Sequence, residues 1–445
     1  MNESLPPFQF YWELDGWIIL AGILCAASAS LLGSFLVLRR MSMLGDAISH
    51  AVLPGLAAAF LLTGSRQSSL MFIGAIVVGV LTSWLTQWTK QIGKVDEGAA
   101  IGVVFTGLFA LGLVMIVRSA DTVDLDPGCV LYGSIELTPL DRYRIGSWEI
   151  PRAVLTMAFV LVVNVVFVVT CYRQLKITSF DPALADSLGI SSKVMHYLLA
   201  ALVAMTAVAS FESVGNILVV AMLIVPPAAA ALLTERLSRM LVVSVVLGIV
   251  ATIAGHFGAI TVPRLWGYSS VSTAGGMTIA AGALLILTIL FAPKTGLLSS
   301  VGKKWLWGVR VNGEDILALL YRQEERGEAG ATAESLSKQL LLPRRNLWFY
   351  RWLLGIRNYV RVEKSDWKLT EKGRMAAQDL VRSHRLWENY FASEVGLTNE
   401  QLHPPAERLE HFTGSQIRKQ LFEHGPSQEV DPHGKPIPPE RDKSS

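Results

Sequence analysis

The sequence predicts an all-α polytopic membrane protein of about nine spans, followed by a soluble winged helix-turn-helix and a helical domain. Three observations predict it. Of 445 residues, 51% are hydrophobic and only 17% are charged, a balance that excludes one compact soluble domain. Apolar runs of about 15 to 22 residues, several of them short for a span, recur as far as Phe291. After Lys294 those runs stop, charges become dense, and five of the eight histidines follow: His384, His403, His411, His424 and His433.

The runs lie at 17–38, 48–62, 70–88, 99–117, 153–172, 197–211, 214–233, 241–256 and 277–291. Basic residues fall on alternate connections: Arg39/Arg40, Lys90/Lys94, Arg173/Lys176/Lys193, Arg236/Arg239 and Lys294/Lys303/Lys304. Under the positive-inside rule these connections are cytoplasmic, so the N-terminus is outside and the tail inside. Arg142, Arg144 and Arg152 run against the pattern, but acidic residues accompany them. The chain starts without a basic n-region and its first apolar run is a full span, so no cleaved signal peptide is expected. Cys25, Cys129 and Cys171 lie apart in apolar surroundings, which fits neither a disulfide framework nor a zinc knuckle. Glu212 and His256 sit at outer ends of spans, where headgroup contact is the expected role.

The stretch MSMLGDAISHAVLPG (41–55) places a carboxylate and an imidazole four residues apart at the mouth of an apolar run. On a helix Asp46 and His50 share a face. Together they are a ligand pair suited to Mn²⁺, Fe²⁺ or Zn²⁺. An N-capping aspartate and a packed histidine would leave the same spacing. Ionisable groups inside a membrane, however, mark a pathway or a proton relay. With the preceding Arg39-Arg40, the stretch resembles the signature of permease subunits of manganese, zinc and iron ABC importers. That resemblance implies that Asp46 and His50 line the cation path.

Two further segments carry the likeness. KITSFDPALADSLGI (176–190) has a turn at Asp181-Pro182 and then a short amphipathic helix ending at Gly189, which by itself describes an interfacial helix. It is similar to the coupling segment of type II ABC importers, which implies that Phe180, Asp181, Ala185, Leu188 and Gly189 meet an ATPase subunit. VGNILVVAMLIVPPAAA (214–230) resembles the next span of that family, and the likeness covers about residues 15–295. AITVPRLWGYSSVSTAGG (259–276) is longer than the family's usual connection. Nowhere does a G-x-x-x-x-G-K-[ST] loop occur, so ATP hydrolysis is expected on a separate chain and the protein itself is not an enzyme.

The domain plan is then a permease domain at 1–295, a linker at 296–311, a winged-helix domain at 312–375, a helical metal-binding and dimerisation domain at 376–440, and a tail at 441–445. Helices are expected at 316–326, 333–341 and 344–356, a hairpin across 360–370, and a further helix from Glu371. His384 and Glu388 are i,i+4 on one helix, and Glu407, Glu410 and His411 share a face of the next. Two such helices can close around a divalent ion once packed. Surface salt-bridge helices would explain the glutamates but explain the histidines less well.

HRLWE (384–388), HPPAERLEH (403–411) and DPHGKPIP (431–438) look like the metal-binding part of the diphtheria-toxin-repressor family. The resemblance covers about residues 312–440 and implies Asp315, Glu407, Glu410 and His411 as a main sensing site, with His384, Glu388 and His403 as an ancillary one. Ala318 stands where some manganese sensors of that family carry a further acid. An oxygen-and-imidazole donor set favours Mn²⁺ over Fe²⁺ or Zn²⁺. In PRRNLWFYRWL (343–353) the arginines Arg344, Arg345 and Arg351 suit phosphates, but Trp348, Phe349, Tyr350 and Trp352 are bulky for reading base edges.

The expectation is a permease of an ABC importer for a divalent transition metal in a bacterial-type inner membrane. It would be a homodimer or paired with a second permease, served by an ATP-binding subunit and an extracytoplasmic metal-binding protein, with a cytosolic tail that senses metal and regulates uptake. Two other readings stay open here: a membrane-tethered metal-dependent transcription regulator that binds DNA, and a proton-coupled secondary transporter.

Overall fold

The computed structural model describes residues 10–63, 68–120, 135–145, 148–267, 271–328, 330–363, 365–424 and 429–440. It divides into two compact units, Met1–Ser300 and Val301–Ser445. In the first, eight helices among the described residues are long and apolar enough to cross a membrane. This makes the chain a multi-pass membrane protein. The run expected at 70–88 is also helical, as Ser68–Gly93, but stands outside those eight. One side of it is polar: Ser83, Thr86, Gln87, Lys90 and Gln91 line a cavity of about 420 Å³ with His196 and Glu97.

Trp17–Leu38 is the central helix of this unit, packed against Arg152–Thr170, Ser192–Val214, Asn216–Leu233 and Leu237–Arg264. Its apolar residues continue all round the helix, as burial among other helices requires. Close approach depends on missing side chains: a Cβ at Gly33 would lie 1.9 Å from the Leu223 carbonyl oxygen, and one at Gly255 would lie 2.2 Å from the Met277 Cα. Polar contacts join the helices, with Ser34 to Ser244 at 3.0 Å, Ser30 to the Met222 carbonyl at 3.1 Å and Asn164 to Thr206 at 2.9 Å. Such bonds average about 0.6 kcal/mol in a membrane, so they set register more than stability.

The span expected at 241–256 extends over Leu237–Arg264. Pro263 has no N–H to give the Ala259 carbonyl four residues back, and the Val271 amide donates to that carbonyl instead at 3.2 Å. The free carbonyl is thus satisfied, and the helix persists where the sequence suggests a loop. His256 does not face headgroups as expected. It is buried and pairs with Asp15 at 3.1 Å.

Leu297–Glu325 is a single helix of 29 residues, most of it in the second unit, and includes most of the stretch read as a linker. Ala333–Gln339 and Arg344–Ile356 follow, capped at the first by Thr332. Asp366–Leu369 lies between Val360–Glu363 and a short strand, Ala331–Thr332, both antiparallel to it. This is the expected winged helix with one extra strand. Ile316, Leu320, Leu336, Leu347, Tyr350, Leu354 and Trp367 fill its core. Glu371–Tyr390, Asn399–Glu410 and Ser415–His424 form the helical part, with a smaller core at Leu386, Leu421 and Ile437. Arg385, buried, crosses to Glu325 with two bonds of 3.0 and 2.6 Å and fastens the winged helix to this part.

Candidate metal sites

Within the membrane unit, Ser42–Ala51 is a helix that begins four residues before Asp46, so Asp46 is not an N-cap. Its carboxylate lies 3.5 Å from His50 Nε2, and both side chains are part-exposed, at 40% and 28%. Asn216, the first residue of its helix, brings its side-chain amide to 3.2 Å from the same nitrogen. Its Oδ1 is buried and makes no hydrogen bond among the described residues, an unsatisfied acceptor. Phe105 and Phe109 stand 5.8 and 5.9 Å from the His50 ring, centre to centre. The site is therefore sparse: one carboxylate, one imidazole and one amide against aromatic walls. Asn216 lies within VGNILVVAMLIVPPAAA, but nothing in that motif singles it out for the site. In sequence it is only a polar side chain directly after Gly215, whose φ of 85° marks the break between two spans.

In the segment expected to couple to an ATPase, Asp181 caps Pro182–Ser187, accepting the Leu184 N–H at 3.0 Å. Gly189 terminates it at φ 78°. Asp186 ties the segment to the next span, accepting the Ser192 N–H and hydroxyl at 2.8 and 2.9 Å. Those bonds hold its carboxyl below the usual range. Ala185, expected on the contact surface, is fully buried. Leu184 and Leu188 are exposed on one side of this short helix, and Phe180, which ends the preceding helix, is exposed before it.

The tail holds denser clusters. Asp315, Glu410 and His411 present donor atoms all within 4.8 Å of one another, and so do His384, Glu388 and His403. His411 Nε2 is 3.2 Å from Asp315, and its Nδ1 is 2.8 Å from Glu314. Glu410 joins the two groups, with one oxygen 2.6 Å from His384 Nδ1 and the other 3.7 Å from His411 Nε2. His384 Nε2 in turn meets Glu388 at 3.1 Å and His403 Nδ1 at 2.9 Å. The two sites read separately from the sequence are thus one network. His433 adds a nitrogen 3.8 Å from Glu388, held in a turn in which Asp431 accepts the N–H groups of His433 and Lys435.

Glu407, expected in the main site, is exposed and stands outside both groups. Glu314 supplies the additional carboxylate instead. Its only sequence signal was adjacency to Asp315, which places it about 100° round the helix, enough to reach the other ring nitrogen of His411.

Protonation follows from this geometry. Burial alone would lower the His411 imidazolium, but bonds to Asp315 and Glu314 outweigh it and raise its pKa to about 10. His384 is raised despite burial by Glu388 and Glu410. Glu388, against its burial, is brought down to about 2 by His384 and His403, and Glu314 is lowered in the same way by His411 and Arg310. Glu388 and Glu314 are held as carboxylates and His384 and His411 as imidazolium, so a cation would displace protons on entry. The donor set of oxygen and imidazole nitrogen, without thiolate, fits a hard or borderline divalent ion.

Comparison with known proteins agrees with both halves. Residues 13–292 match the model of the ABC 3 transport family, and residues 370–439 match the iron dependent repressor, metal binding and dimerisation domain. The chain belongs to the ABC 3 transport family, with a repressor-type metal-binding domain fused behind the membrane unit. It is 44% identical over 288 residues to the manganese transport system membrane protein MntD of Bacillus subtilis, covering 64% of this chain and 95% of that one. To the zinc transport system membrane protein TroD of Treponema pallidum it is 38% identical, covering 63% and 74%. Among solved structures, PsaBC from Streptococcus pneumoniae in complex with Fab aligns at TM-score 0.52 and 31% identity, covering 63% of this chain and 92% of that one.

Proposed function

We propose that the protein is the permease of a manganese importer whose cytosolic tail measures the imported ion and sets the rate of uptake. The observation that carries this reading is the pairing of two unlike sites on one chain: a sparse Asp46/His50/Asn216 site in the membrane and a dense carboxylate–imidazole network in the tail. Transit favours few ligands, because an ion must leave as readily as it enters. Sensing favours many, because occupancy must respond to scarce free ion. The hard oxygen and imidazole donors support manganese for both sites.

In this reading an extracytoplasmic metal-binding protein delivers the ion outside, and a separate ATP-binding subunit docks on the exposed Phe180, Leu184 and Leu188. Asp181 and Asp186 keep that segment rigid, so that movement below is passed to the following span. The tail then lies on the cytoplasmic side, as the basic connections indicate. Metal joining Asp315, Glu410 and His411 would draw the Leu297–Glu325 helix toward Asn399–Glu410 and alter how the tail bears on transport.

Reconstitution with its ATPase and binding protein tests the transport half: ATP-dependent Mn²⁺ uptake that is lost in His50→Ala is expected, and strong zinc uptake with negligible manganese uptake would overturn the choice of ion. A second reading, a membrane-tethered transcription regulator, has the winged-helix topology in its favour. Arg344, however, is engaged by Glu334 at 3.0 Å, and the outward face of the helix is aromatic. Absence of gel-shift binding to operator-sized duplexes is the expected result.

A further inference from the structure

The helix that a DNA-binding winged helix would lay in the major groove is Arg344–Ile356. Its inner side buries Leu347, Tyr350 and Leu354. Its outer side carries Trp348, 73% exposed, Trp352, 54% exposed, and Ile356, 66% exposed, four residues apart in a single stripe. Leu341, at 87%, continues it before the helix begins. Indole and isobutyl groups offer base edges almost nothing to read. They also leave a soluble domain with an apolar stripe that needs a partner.

The stripe does not end with this helix. Phe349 lies 6.2 Å from Trp352 and 6.1 Å from Trp305, ring centre to ring centre. Trp305 is itself well exposed and belongs to the Leu297–Glu325 helix. That helix starts shortly after the last span ends at Phe291, and Trp305 stands about 12 Å along it at the usual helical rise. The short connection leaves this aromatic surface within reach of the headgroup layer. Around it, Arg345 and Arg351 are exposed and form no ion pair among the described residues, and Lys304 precedes Trp305. Tryptophan with arginine at its flanks is the composition of a surface that rests in a bilayer interface.

We infer that the Trp305–Phe349–Trp348–Trp352 face, with Arg345 and Arg351, docks on the anionic cytoplasmic leaflet of the membrane in which the chain is anchored. The basic residues meet the negative headgroups, an attraction that fades within about 8 Å at physiological salt. The indole rings enter the interface and hold the module flat to it. A helix shaped for nucleic acid thereby becomes a lipid contact, and the metal network above it rests on a platform fixed to the bilayer. The inference rests on the cytoplasmic placement of the tail proposed above, and not on the tail having any effect on uptake.

The test uses the full chain in nanodiscs of phosphatidylcholine, with or without phosphatidylglycerol, built from lipids brominated on their acyl chains. Bromine quenches only indoles in contact with lipid, so the contribution of two tryptophans follows by difference from the Trp348→Phe/Trp352→Phe variant. A quenched component present in the native chain and lost in that variant is expected. It is also expected to be stronger with phosphatidylglycerol and to lose that preference in Arg345→Glu/Arg351→Glu. Equal quenching of native chain and Trp variant in every disc would overturn the inference. So would shielding of the two indoles only on addition of duplex DNA, or only when two copies share a disc. Mn²⁺ titration of the same samples reports that the variants are folded. Proteolysis of the tail in sealed vesicles of either orientation fixes its side independently, so a misplaced tail is told apart from a tail that ignores lipid.

Discussion

The two candidate metal regions combine the same residue types at different densities. In the membrane unit, Asp46 and Asn216 stand 3.5 and 3.2 Å from one ring nitrogen of His50, part-exposed and backed by phenylalanines. In the tail, Glu314, Asp315, Glu410 and His411 continue through His384 into Glu388 and His403, mostly buried and tightly paired. The difference lies in number and enclosure rather than in ligand chemistry. A pair with water to complete its shell lets an ion go. A closed, proton-exchanging network keeps it.

The largest expected effect separates the two regions outright. His50→Ala or Asp46→Asn should reduce Mn²⁺ uptake about 100-fold or more, at the upper end of what the loss of a partner costs a metal site, while tail affinity measured by isothermal titration stays unchanged. A parallel loss in the tail would mean that the sites are not independent. Next, because His384 touches Glu388, His403 and Glu410, His384→Ala should weaken tail binding by about 10- to 100-fold and remove every bound ion together. Loss of one ion with another retained would split the network back into separate sites. Glu314→Gln should cost about tenfold in the same titration, and Glu407→Ala markedly less. The reverse order would restore Glu407 as the principal ligand.

A stability measurement sharpens the contrast further. Arg385→Ala leaves Glu325 and Asp431 without their buried partner and should destabilise the tail by about 3 kcal/mol, read by thermal unfolding of the tail signal with the membrane unit intact. The smallest effect is a pH trend. With chelator present, His411 has a folded pKa of about 10 against an ordinary 6.5. Its contribution to stability is then full below 6.5 and declines as pH rises toward about 10. In saturating Mn²⁺ the trend should invert, because a metal-bound imidazole has given up its proton. Melting curves at pH 6.5 and 9, with and without metal, check both signs.

Much of this was legible in the residues. Apolar runs placed the spans, and the i,i+4 spacing placed Asp46 beside His50 and His384 beside Glu388, because a helix fixes such neighbours without tertiary information. What escaped was whatever depends on a second element. Asn216 reaches His50 across 166 positions of sequence and Glu314 reaches His411 across 97, and no local pattern carries that distance. Helical phase places Glu407 on one face with Glu410 and His411, but phase does not fix which of the three side chains turns toward Asp315, and Glu407 is exposed. Pro263 read as a break because its lost bond is visible in sequence, whereas the Val271 amide that compensates for it is not. Ala185, read as a contact, is buried because the short helix turns that residue inward while Leu184 and Leu188 face outward.

The most direct test of the central claim is the initial rate of Mn²⁺ uptake into proteoliposomes carrying the permease with its ATPase, loaded beforehand with increasing internal Mn²⁺. The native chain and the Glu410→Gln/His411→Ala variant are compared under the same external supply. The account predicts that the native rate falls as internal metal fills the tail, while the variant, still able to transport, keeps its rate across the series. Superimposable curves for the two proteins would contradict it and leave the tail with no part in governing uptake.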